Sequence, residues 1–61
     1  MKTQTYYHVI ESSRGLLGWH GTYDTLQEAE QEANRLAGFF SDCQFYVEAL
    51  PTNDEPYYIN C

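Results

Sequence analysis

Basic side chains are scarce in this chain. Lys and Arg number 3 against 9 Asp and Glu, a formal net charge of −6 over 61 residues. A surface so short of cations argues against direct nucleic-acid binding, which needs Lys and Arg to displace counterions from phosphates. It argues equally against an anionic membrane surface. Long apolar runs are missing too: none exceeds three residues, so nothing spans a bilayer. The opening Met1-Lys2-Thr3-Gln4-Thr5-Tyr6-Tyr7-His8 lacks the apolar stretch of a signal peptide. Cysteine is limited to Cys43 and Cys61, too few for a disulfide scaffold. The expectation is a cytoplasmic protein with reduced thiols, in which Cys61, ending the chain, is open to intermolecular oxidation in vitro.

Catalytic signatures are also lacking. There is no G-x-G-x-x-G, no P-loop and no nucleophile elbow. His8, His20, Cys43 and Cys61 make the right count for tetrahedral zinc, but without C-x-x-C or H-x-x-x-H spacing. No metal and no cofactor are expected; Cys43 reads as a small buried thiol, and the two imidazoles as strand-surface groups. A chain of 61 residues is one domain, too short for an ordinary enzyme scaffold with a deep pocket. The expectation is a protein that is not an enzyme.

What is present is a patterned globular sequence. Hydrophobic residues make up 43% and aromatic residues 16%, which argues against disorder. Residues 5–11 are aromatic and β-branched and read as a strand, with Tyr7 and Val9 on one face and Tyr6, His8 and Ile10 on the other. Ser12-Ser13-Arg14-Gly15 is turn chemistry, Gly15 being able to take positive φ. A second strand over residues 16–22 completes a hairpin. Its Gly18 and Gly21 suggest a bulge or a close backbone approach.

Thr25-Leu26-Gln27-Glu28 has the form of a capping box, and Asp24 adds negative charge at the positive end of the helix it opens. Leu26, Ala29, Ala33, Leu36 and Ala37 form one apolar stripe at helical spacing. The spacing predicts a helix over residues 25–37, stopped by Gly38 in a left-handed cap, with Phe39 and Phe40 packed under its end. Residues 44–50 alternate, with Phe45, Val47 and Ala49 inward and Gln44, Tyr46 and Glu48 outward, and Pro51 ends the strand. Tyr57-Tyr58-Ile59 either adds a short edge strand or tucks against the sheet. The fold class is α+β: a single β-β-α-β domain, its three-stranded antiparallel or mixed sheet in the order 2-1-3. The helix covers one face, leaving the other open with aromatic and polar side chains. Leu26, Ala33, Leu36, Val9, Phe45 and Val47 are the expected core.

The acidic residues carry the functional reading. Glu28 and Glu32 lie four apart on one helix face and repel, with Glu30 on an adjacent face. Asp24 and Asp42 flank the helix, and Glu48 projects from the third strand. One reading is a solvated surface that keeps a small protein soluble. The other is a surface that imitates phosphates: helix positions four apart are separated by about 6 Å, against about 6.8 Å for two nucleotide steps. The aromatic residues Tyr6, Trp19 and Tyr46 are the second candidate contact set, since Tyr and Trp concentrate at protein interfaces; the alternative is that they wall a small core.

With its acidic helix face Glu28-Glu30-Glu32, flanking Asp24 and Asp42, Tyr-rich strands and no catalytic motif, the whole chain resembles the small acidic inhibitors encoded by phages and mobile elements, of which anti-CRISPR proteins are the best-known class. The resemblance implies a stoichiometric inhibitor of a host nuclease complex, acting at its DNA-binding surface or a subunit contact, in one mode as a DNA mimic. The implied partner is a host protein or nucleoprotein complex with a basic surface, with the inhibitor a monomer or weak homodimer in the host cytoplasm. The alternative is a protein–protein interaction or regulatory module that pairs through its sheet edge or aromatic face.

Overall fold

The computed structural model describes residues 4–56 and 59, in the order β1 (Tyr6–Ser13), β2 (Leu16–Tyr23), α1 (Leu26–Phe39), β3 (Gln44–Leu50). The sheet order is β2-β1-β3, and β1 is antiparallel to both neighbours. This is the expected β-β-α-β layout. Among the described residues no helix is long and apolar enough to cross a membrane.

The hairpin turn is two residues long. Arg14 (φ 54°) and Gly15 (φ 81°) are both left-handed, as the type I′ turn requires to match the twist of its strands. Further along, the β1–β2 register breaks: Val9 faces Gly21 but Ile10 faces Trp19, so His20 is the extra residue of a bulge. Gly21 has φ 142°, a backbone conformation open to glycine and strained for other residues. A Cβ there would meet only the Tyr23 ring, at ordinary contact distance, so the requirement is conformational. The bulge signalled by the strand glycines is therefore present.

The helix starts as its capping box dictates. Thr25 is extended, and its hydroxyl oxygen accepts from the Glu28 amide at 3.2 Å. The Thr25 hydroxyl in turn donates to the Glu28 carboxylate at 3.0 Å, a variant of the box in which the hydroxyl rather than the N-cap amide meets the acid. The helix runs past its expected end. Gly38 stays helical, and the Phe40 amide closes the last turn on the Leu36 carbonyl at 2.9 Å. Phe40 caps at φ −122° and ψ 77°, so no left-handed residue is needed.

On the helix side of the sheet, Val9, Ala29, Ala33 and Leu36 are buried together, with Tyr7, Tyr23, Phe45 and Val47 packed against them. The small Ala29 and Ala33 let α1 lie close to the strands. Leu26 departs from expectation, with 45% of its surface exposed. As the first helical residue it sits beside the β3 edge, lining a groove rather than the core. Phe39 is also exposed, with Arg35 over its ring. Only Phe40 turns back, meeting Phe45 with ring centroids 6.2 Å apart.

The opposite face is not open. His8 and Ile10, which alternation places there, are both fully buried. After β3 the Thr52 carbonyl meets His8, and further on Pro56 and Ile59 are buried. Ile59 sits in a turn closed on the Pro56 carbonyl, not in a strand. Tyr57, Tyr58 and Cys61 lie outside the described residues. A small domain has little core to spend, and the burial of His8 and Ile10 adds to that of the helix side.

Candidate functional site

The acidic residues divide into paired and unpaired groups once the side chains are placed. Glu32, expected to repel Glu28, is instead paired with Arg35 one turn on. The Arg35 hydrogen bonds hold the Glu32 carboxyl below the usual carboxylate range. Glu11 is paired with His20 at 2.7 Å, a contact made possible by the bulge that swings His20 to the helix side of the sheet. His20's hydrogen bond lowers the Glu11 carboxyl against the opposing effect of burial. Among the described residues no other carboxylate has an ion-pair partner.

Asp24, Glu28 and Glu30 lie at the start of α1, all exposed. Asp24 accepts a 3.4 Å hydrogen bond from the Gln4 amide, and Glu28 one from Thr25. Both stand where the helix dipole favours negative charge, so each has a local structural reason to be acidic. Glu30 has none; it lines the groove between α1 and β3. Glu48 is half-buried on β3, on the sheet's second face opposite His8. Asp42 is exposed beyond the far end of α1, beside Cys43. Asp24, Glu28 and Glu30 thus share the first turns of α1, away from Asp42, but point different ways: Glu28 acts on Tyr23 of β2, while Glu30 lines the groove beside β3.

The aromatic candidates share the second face of the sheet. Tyr46 is opposite Ile10, Trp19 is opposite Ile10 from the other side, and Tyr6 is opposite Leu50. Tyr46 is 38% and Trp19 36% exposed; Tyr6 is half-buried. Trp19 is tied inward, its indole N–H donating to His8 Nδ1 at 3.1 Å. An indole N–H can only donate, so Nδ1 is unprotonated and the proton sits on Nε2. Nε2–H then donates to the Thr52 carbonyl at 2.7 Å, and the Thr22 hydroxyl donates to Nδ1 at 3.0 Å. The network fixes the tautomer of His8 and ties Trp19 to the sheet. His8 is therefore a buried clamp, where the sequence suggested a surface imidazole. Its position inside an aromatic and β-branched run was the available signal.

A third feature escaped the sequence reading. Leu26, Glu30, Ala33, Asn34, Phe45, Tyr46 and Val47 line an open groove of ≈ 490 Å³ along the outer side of β3. The exposed Leu26 forms part of it.

The chemistry of Cys43 runs against nucleophilic use. A hydrogen bond from Ser13 favours its thiolate, but burial and the carboxylates of Glu11 and Asp42 outweigh that and push the thiol up. Activated cysteines have a lowered value and a base at hand; here Glu11 is engaged by His20. Cys43 is half-buried rather than buried. Among the described residues no three His, Cys, Asp or Glu side chains come together as a metal would require. Comparison with protein-family models, with curated proteins and with solved structures found no match.

Proposed function

We propose that this chain is a small, non-enzymatic inhibitor of the anti-CRISPR kind. It sets the acidic start of α1 against a basic, nucleic-acid-handling surface of a host defence complex in the cytoplasm. The observation that carries the reading is that Asp24, Glu28 and Glu30, near the start of α1, are all exposed and, among the described residues, without ion-pair partners, in a chain of net charge −6. Capping and the helix dipole account for Asp24 and Glu28, which leaves Glu30 as the acid with no structural role of its own. Charge of one sign on an exposed helix end accelerates encounter with a basic surface and selects against acidic partners. The aromatic face is the weaker docking candidate, because Trp19 and Thr52 are both bound to His8 there.

The test is charge reversal read in binding kinetics. Glu28→Lys with Glu30→Lys should slow association with the captured partner and flatten its salt dependence. Helical circular dichroism checks that α1 is retained. An association rate unchanged from about 50 to 500 mM salt, over which the Debye length falls from about 14 to 4 Å, would overturn the proposal.

A further inference from the structure

The two edges of the sheet are built differently. β2 is interrupted by the His20 bulge and by Gly21 at positive φ. Such a bulge twists an edge out of line and discourages strand addition. β3 has no such guard. It runs in unbroken register with β1 from Gln44 opposite Ser12 to Leu50 opposite Tyr6, with no Lys, no Pro and no bulge. Among the described residues β3 pairs with β1 alone. Alongside this flat edge lies the groove walled by α1, with Leu26, Phe45 and Val47 as its apolar lining and Glu30 as its carboxylate. Tyr46 also borders this groove, and Glu48 stands on the other side of the same strand, opposite His8.

We propose that the β3 edge accepts an extended basic segment of the partner as a fourth strand. This rests on the basic-partner reading above and names the form in which part of that partner binds. Alternation in the added strand sends one set of side chains into the groove against Leu26 and Val47, and the other toward Glu48. A segment alternating apolar and Lys or Arg residues satisfies both sides. Charge selects this occupant over a second copy of the chain. The groove and β3 supply Glu30 and Glu48 and no basic side chain, and two copies at −6 each repel.

The experiment uses the full chain and a synthetic Lys-Val-Lys-Val-Lys-Val-Lys peptide. Its partners are the same peptide N-methylated at alternate residues, and a Glu-Val counterpart. Amide hydrogen exchange and titration are the readouts. The expected result is new protection across Gln44–Leu50, with binding at least about tenfold weaker after N-methylation, because backbone hydrogen bonds are lost while charge is kept. The Glu-Val peptide should not bind, and Glu30→Lys with Glu48→Lys should weaken the Lys-Val peptide at low salt. Salt-dependent binding without protection of β3, or indifference to N-methylation, overturns strand addition and leaves the basic-partner reading standing. Protection of β3 that survives the charge reversals overturns the basic occupant and, with it, the charge argument. Concentration-dependent dimerisation that protects β3 without any peptide makes a second copy the occupant and overturns the proposal.

Discussion

Replacing His8 with Phe tests the buried clamp. The planar phenyl ring is one atom larger than imidazole and carries neither nitrogen, so hydrogen bonding is lost completely and the added volume can only increase the cost. Three groups lose their partner: the Trp19 N–H, the Thr22 hydroxyl and the Thr52 carbonyl. A fully buried stranded group costs about 1–3 kcal/mol. Here Thr52 is exposed and Trp19 36% exposed, so both recover water, and the expected cost falls to about 1–2 kcal/mol. A domain this size draws on the order of 3–5 kcal/mol from its core, so the loss is a large fraction. A change of 1 kcal/mol shifts the midpoint by about 4–8 °C in a domain this small, and the expected drop is therefore about 5–15 °C. Thermal unfolding followed by circular dichroism measures it. Trp19, the only tryptophan, reports the site directly, its emission moving to the red as the tail loosens. Limited proteolysis should cut beyond Thr52 faster in the variant. A midpoint within about 2 °C of the parent, with unchanged emission, would refute the clamp.

Three further outcomes are expected from local interactions. Thr25→Ala removes the hydroxyl that serves the Glu28 amide and carboxylate and should lower the urea-derived stability by about 1 kcal/mol; an unchanged urea midpoint would mean the cap contributes nothing. Leu36→Ala empties a buried position in the α1–sheet core and should cost about 2–5 kcal/mol, enough to leave much of the population unfolded by circular dichroism. The Glu11 carboxyl, held low by His20, stabilises the fold when ionised. That contribution is present above its ordinary value of 4.5 and lost as pH falls through the lower folded-state value. Glu11→Gln should accordingly flatten the acid limb of the stability–pH curve, and an acid limb identical to that of the parent would contradict the pairing.

The hairpin, the helix start and the sheet order were legible because their causes are local. Arg14-Gly15 twists the turn, Thr25 with Glu28 opens α1, and alternation faces each strand. Legibility failed where distant groups decide. The second face looked open because nothing near His8 announces that Thr52, over forty positions away, will bond to it. Gly38 read as a stop because glycine is costly inside a helix, yet Phe40 closes the final turn without it. Leu26 matched the core periodicity, but periodicity does not say how far a helix overhangs its sheet. The candidate acids were visible singly, while their pairing was not. Arg35 neutralises Glu32 at helical spacing, and a bulge brings His20 to Glu11.

The central claim is that the acidic start of α1 occupies a surface that otherwise holds nucleic acid. Competition on the captured partner tests it most directly: labelled duplex DNA or RNA is bound first, and the protein is titrated in. The account predicts one-for-one displacement, lost when Glu28 and Glu30 are reversed to Lys. A stable ternary complex, with nucleic acid and protein bound at once and neither weakening the other, would contradict it.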